Sequence, residues 1–156
     1  MPMIGLCAVA LALGQSPVGT ASAQTPASWH ANGAFAALRV GDLDSMMRWY
    51  REVLGFELVN HQKERQAALL KRGGSVLELI QRSGPPAVAR ATHAQDLAQP
   101  GIIKFGLVVD DFDGLQKSLD AKGVAVLGKV IRSDVDGLRT LAVTDPEGNM
   151  LQFFGR

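Results

Sequence analysis

Two stretches decide the fold when one is laid over the other: Leu38-Arg39-Val40-Gly41-Asp42-Leu43-Asp44-Ser45-Met46 and Leu107-Val108-Val109-Asp110-Asp111-Phe112-Asp113-Gly114-Leu115. Leu, Val, Asp, a large apolar residue and a second Asp recur in step. Each copy alternates as a strand does and then meets an acidic pair able to cap a helix. The spacing of Met46, Met47, Tyr50 and Leu54 predicts a helix over 43–54, and Leu115 and Leu119 predict one over 112–121. A glycine follows each helix, Gly55 and Gly123, as the left-handed position beyond a helix end favours.

A second match closes each copy: Gly74-Ser75-Val76-Leu77-Glu78-Leu79 lies over Gly148-Asn149-Met150-Leu151-Gln152-Phe153. Asp145-Pro146-Glu147-Gly148 reads as a tight turn, with Pro presetting φ and Gly taking the left-handed position. Between helix and closing strand there is room for two more strands, 56–62 and 65–72 in the first copy, 124–131 and 138–144 in the second. The reading is an α+β protein: a βαβββ unit written twice, the two modules forming a curved mixed sheet, a cup. The first module spans 34–82 and the second 102–156. The linker 83–101 is rich in Pro, Gly and Ala, with a helical turn expected near 94–98 and His93 as an exposed loop residue.

Ahead of the modules, residues 4–13 are apolar and Ala21-Ser22-Ala23 is a small-x-small site. An apolar run of about ten residues is too short to span a bilayer and suits a signal peptide. Residues 1–23 are therefore read as a signal peptide and 24–33 as a flexible N-terminal segment. The mature protein is expected to be periplasmic or secreted, with no membrane attachment. The alternative is a hydrophobic helix retained in the fold, because the first five residues carry no Lys or Arg. The single cysteine, Cys7, lies in this stretch, so the mature chain would have no disulfide, cysteine metal site or cysteine nucleophile. A chain of 156 residues, 47% hydrophobic, can build one core without covalent staples. Sixteen Lys and Arg against 15 Asp and Glu leave a net charge of +1, which gives no electrostatic case for nucleic acid or an anionic membrane.

Side chains alternate across a strand. With Leu38, Val40, Leu107 and Val109 turned to the helices, Phe35, Ala37 and Arg39 face the cup, as do Lys104, Gly106 and Val108. In the closing strands Val76, Glu78 and Ile80 face it with Met150, Gln152 and Phe154. Four polar groups, Arg39, Glu78, Lys104 and Gln152, thus stand among apolar walls. Charges so placed are paired, solvated or used. One reading pairs the Lys104 ammonium with the Glu78 carboxylate as a structural prop; the other assigns them to ligand recognition or acid–base chemistry. His61, near the end of the second strand, is a candidate ligand contact, whereas His30 has the wrong parity.

The doubled plan resembles the vicinal oxygen chelate superfamily, which includes glyoxalase I, extradiol dioxygenases, fosfomycin-resistance enzymes and bleomycin-binding proteins. The residues that carry the resemblance are Leu38-Arg39-Val40-Gly41-Asp42-Leu43, Trp49-Tyr50, Leu54-Gly55-Phe56, Val76-Leu77-Glu78-Leu79 and Asp145-Pro146-Glu147-Gly148-Asn149, within a span of about 35–154. Carried over by position, the resemblance places the metal ligands of metal-dependent members at Phe35, Glu78, Lys104 and Gln152. Of these Glu78 is a good ligand for a divalent cation and Gln152 offers an amide oxygen; Phe35 cannot ligate, and Lys104 puts a positive charge where the metal would sit. A catalytic metal needs about three protein ligands and an open position. No cofactor is therefore expected, a divalent metal being the alternative.

Three functions follow from the resemblance. In a metal-free isomerase or lyase, Lys104 polarises a carbonyl or holds a carboxylate and Glu78 moves a proton beside it. Arg39 clamps the oxyanion, and Phe35, Gln152, His61, Met150 and Phe154 contact the substrate. The second function is a non-catalytic protein that sequesters a small oxygenated or anionic molecule. The third is a metal-dependent glyoxalase- or dioxygenase-like enzyme with an unusual ligand set. The resemblance also implies a homodimer as the assembly to look for, with the modules closing within one chain or swapping between two.

Overall fold

A computed structural model describes residues 32–84 and 101–156. The expectations for the signal peptide, Cys7, His30, most of the 24–33 segment, and His93 with most of the linker lie outside the described residues.

The first module runs β1 (Ala34–Val40), α1 (Leu43–Glu52), β2 (Glu57–Gln62), a 3-10 turn (Lys63–Arg65), β3 (Ala67–Arg72) and β4 (Ser75–Gln81). The second runs β5 (Lys104–Val109), α2 (Phe112–Ala121), β6 (Ile131–Arg132), β7 (Arg139–Thr144) and β8 (Met150–Gly155). They form two four-stranded sheets of matching order, β1-β4-β3-β2 and β5-β8-β7-β6. In each, the first strand pairs parallel to the closing strand and the other pairs are antiparallel. A parallel pair needs a crossover, and the helix of each module begins it.

Both helices start as the repeat predicts. Asp42 Oδ1 accepts a hydrogen bond from Ser45 N at 3.0 Å, and Asp111 Oδ1 accepts one from Gly114 N at 2.8 Å. The entry to α1 carries extra support, because Gln81 Oε1 accepts from Leu43 N at 2.6 Å. That helix ends at Glu52, two residues before the expected end, and Gly55 reverses the chain at φ 66°.

The second module departs from expectation over 124–131. Only Ile131–Arg132 enters the ladder, against Thr140 and Arg139. Val124 and Val126 alternate as a strand would, but Gly123 and Gly128 take positive φ values and interrupt the extended run. The segment instead lays Val124, Val126 and Val130 on the core and bonds Leu127 N to Ala142 O at 2.7 Å.

The core is continuous across both modules. Val40, Met46, Tyr50, Leu70, Leu77 and Leu79 join Phe112, Leu119, Leu141, Val143, Leu151 and Phe153 in one cluster. Polar contacts also cross between modules. Tyr50 Oη donates to Asp145 Oδ2 at 2.9 Å, and the Glu147 carboxylate accepts from Gly41 N and Asp42 N at 2.8 and 2.9 Å. Lys122 Nζ donates to the Glu52 and Val53 carbonyls at the end of α1, at 2.6 and 3.0 Å. The two modules therefore close on each other within one chain. The strands β1 and β5 adjoin without pairing among the described residues and form a seam between the two sheets.

Candidate functional site: the open sheet face

Residues paired in register point to the same side of a sheet. On the first sheet Phe35 pairs with Val76, Ala37 with Glu78 and Arg39 with Ile80, while Leu69 and Lys71 of β3 extend the Glu78 and Val76 rows. On the second, Lys104 pairs with Met150, Gly106 with Gln152 and Val108 with Phe154. Leu38, Val40, Leu77, Leu79, Leu107, Leu151 and Phe153 belong to the opposite parity and pack in the core. Phe35, Arg39 and Glu78 thus share the open face of the first sheet, and Lys104, Met150, Gln152 and Phe154 that of the second. Phe35 is 63% exposed, a large apolar side chain left uncovered beside the seam. Gly106 is required where it stands, since a Cβ there would meet the Gln152 carbonyl oxygen at 2.2 Å.

His61 is not on this face. It pairs with Ala68, which pairs with Leu79, so it lies on the helix side. The cause is a bulge between Leu58 and Asn60, which shifts the register of β2 by one residue. A one-residue shift turns every following side chain to the other side of a sheet. His61 lines a separate polar cleft at the entry to α1, with Asp42, Asp44, Lys63, Gln66 and Gln81.

Nor do Glu78 and Lys104 form the ion pair that one reading placed between them. Among the described residues the one ion pair is Arg139–Asp113, at 2.5 Å. Glu78 lies on β4 with β1 between it and the seam, and Lys104 begins β5 on the far side of that seam. Neither charge enters an ion pair among the described residues.

Polar residues of this face beyond the four of the sequence reading include Lys71 of β3, on the Val76 row, and Thr140 and Thr144 of β7. Thr140 of β7, paired with Phe154, accepts a hydrogen bond at Oγ1 from Gln152 Nε2 at 2.8 Å. Its contact is diagonal across two strands, so only the register of β7 on β8 could reveal it.

The turn before β8 is also more than a turn. Asp145 is 4% exposed, and its carboxylate accepts from Glu147 N, Asn149 N, Asn149 Nδ2 and Tyr50 Oη. Burial pushes its carboxyl above the ordinary carboxylate range, with these donors pulling the other way. It anchors the hairpin and ties α1 to the second module.

The four positions at which the resemblance places metal ligands do not make a donor set. Phe35 has no lone pair to offer and the Lys104 ammonium repels a cation. Among the described residues no group of three His, Cys, Asp or Glu side chains could hold a metal ion. A divalent cation does not fit the residues at these four positions.

A doubled βαβββ chain in which the first strand of each module pairs parallel to the closing strand defines a class of proteins by its fold. The chain belongs to the Glyoxalase/Bleomycin resistance protein/Dioxygenase superfamily, whose family model matches residues 33–153. Among solved structures, SMU.1112c is 26% identical with a TM-score of 0.65, covering 78% of this chain and 96% of that one. A lactoylglutathione lyase from Agrobacterium tumefaciens is 24% identical with a TM-score of 0.58, covering 84% and 96%. A glyoxalase family protein from Enterococcus faecalis is 22% identical with a TM-score of 0.59, covering 81% and 97%. No protein of curated function matches the sequence.

Proposed function

We propose that this chain binds a small oxygenated or anionic molecule on its open face without a resident metal, and moves a proton beside a carbonyl group. The observation that supports this is the occupancy of the four family positions. They hold one carboxylate, one ammonium, one amide and one phenyl ring, with the carboxylate and ammonium in no ion pair among the described residues. In this reading Glu78 takes the proton from the carbon next to the carbonyl, and the C–H electron pair moves into an enolate. Arg39, on the strand between Glu78 and the seam, and Lys104 meet the negative charge that develops on oxygen. Phe35, Met150 and Phe154 wall the substrate, and Gln152, held by Thr140, orients it.

The test is hydrogen exchange. Small 2-oxo acids and aldehydes are incubated with the purified protein in deuterated water, and proton NMR follows loss of the signal next to the carbonyl. Enzyme-dependent exchange that disappears in Glu78→Gln supports the reading; exchange that persists in that variant removes Glu78 from the mechanism. A ligand bound intact without exchange points to sequestration. Stoichiometric zinc, nickel, manganese or iron in elemental analysis returns the metal-dependent alternative.

Export is part of the same proposal and rests on residues 4–13 and Ala21-Ser22-Ala23. Intact mass of the protein recovered outside the cytoplasm should correspond to a chain beginning at Gln24.

A further inference from the structure

The seam between β1 and β5 holds two adjoining cavities that share Phe35, Ala36 and Phe105. The larger, about 500 Å³, is walled by Phe35, Leu38, Ile102, Ile103, Phe105 and Met150. Among the described residues Lys104 is the one charged side chain lining it, and it pairs with no carboxylate of theirs. The other polar side chain, Asn149, turns its amide to Asp145 Oδ2 at 2.6 Å. The smaller cavity, about 210 Å³, is lined by Phe35, Phe56, Val76, Leu77, Phe105 and Leu107, with Ser75 as its polar side chain. Gly106 also lines this slot, on the strand that approaches β8 closely.

An apolar chamber with a single cation at its wall, unpaired among the described residues, has a specific complement. We propose that the seam binds an amphiphilic monoanion, a carboxylate whose apolar body is an unbranched chain or a single ring. The carboxylate meets the Lys104 ammonium, and the body lies against Phe35, Phe105 and Met150. A longer body passes Phe35 into the smaller slot. The cavity volumes suit a small ligand of this kind. This inference rests on the reading of the open face as a small-molecule site and narrows its ligand from anions in general to those with an apolar body. A polar dianion gains one charge contact here and strands its second charge against apolar walls, a costly arrangement.

Calorimetric titration of the full chain with butanoate, hexanoate and octanoate, beside octanol and octylammonium, tests it. Affinity for the carboxylates should rise about fourfold per methylene while the chain still finds apolar wall. Octanoate should bind better than octanol, and octylammonium worst. Lys104→Met keeps the apolar stem and should weaken octanoate at least about tenfold, the loss expected when a charged hydrogen-bond partner is removed. Octanol should be unaffected by that change. Lys104→Glu should reverse the preference toward octylammonium, and because position 104 is exposed, unchanged thermal melting verifies that both variants are folded. Equal binding of octanoate and octanol, no dependence on chain length, or an octanoate affinity indifferent to Lys104→Met would each overturn the proposal. If short 2-oxo acids bind the open face and octanoate does not, this inference fails while the proposed function stands. If octanoate binds through Lys104 and no 2-oxo acid exchanges, the seam ligand stands and the catalytic reading fails.

Discussion

Asp145 gathers four hydrogen bonds on one buried carboxylate, and one of them, from Tyr50, crosses between the modules. Replacing it with Asn turns one acceptor oxygen into a donor that faces the N–H and O–H groups already pointing at it. An unsatisfied buried donor costs about 1–3 kcal/mol, so Asp145→Asn should lower the urea midpoint correspondingly. Tyr50→Phe removes one of the four donors and should cost less than Asp145→Asn. The pH dependence has a definite sign. Because burial holds the folded-state pKa of Asp145 above its unfolded value, the folded chain keeps this proton after the unfolded chain has lost it. The stability this group contributes is therefore fully present below the ordinary carboxylate range and falls as pH rises through the folded pKa. The advantage of the native protein over Asp145→Asn should narrow from acid to neutral pH, measured by denaturant unfolding at each pH. His61 shows the limit of reading single residues: Leu58-Val59-Asn60 carries no mark of the bulge that reverses its facing.

The elements repeat more faithfully than their surroundings do. Asp42 and Asp111 cap α1 and α2 in the same way, and Asp111→Ala should cost about 1 kcal/mol, the usual value of such a cap. The two helix entries differ in what reaches them from the other module. Glu147 bonds Gly41 N and Asp42 N at the start of α1, whereas the turn corresponding to it in the first module is Gly73-Gly74, with no side chain to extend toward α2. Glu147→Ala should therefore loosen α1 specifically, read as faster amide hydrogen exchange at its first turn. The close approach of β5 to β8 makes a sharper prediction. A Cβ at 106 would strike the backbone oxygen of Gln152, which cannot move without moving β8, so Gly106→Ala should destabilise by about 1–3 kcal/mol and disturb the open face next to Gln152.

At the scale of the molecule, the two modules share one core and cannot be expected to stand alone. Tyr50 packs edge-on to Phe56 of its own module and also against Phe105 of the other, at centroid distances of 5.8 and 6.4 Å. A fragment of residues 24–84 would expose that shared core at a length below which single cores are marginal. It should give the circular dichroism of an unfolded chain, while the whole protein unfolds in one transition by both near- and far-ultraviolet signals. The doubled unit, its helix starts, its closing strands and the parity of Phe35, Arg39, Glu78, Lys104 and Gln152 were all legible in the sequence. They follow from local periodicity and capping, which two copies of a pattern state twice. Other features were decided only by tertiary structure. These are the bulge that turns His61 away, the irregular path through 124–130, the Thr140–Gln152 contact and the anchoring of Tyr50 by Asp145. The separation of Glu78 from Lys104 belongs with them, because it depends on which strands lie between two residues after the modules have closed. Alternation along a strand says which way a side chain faces; only the packed molecule sets how far it stands from its neighbour.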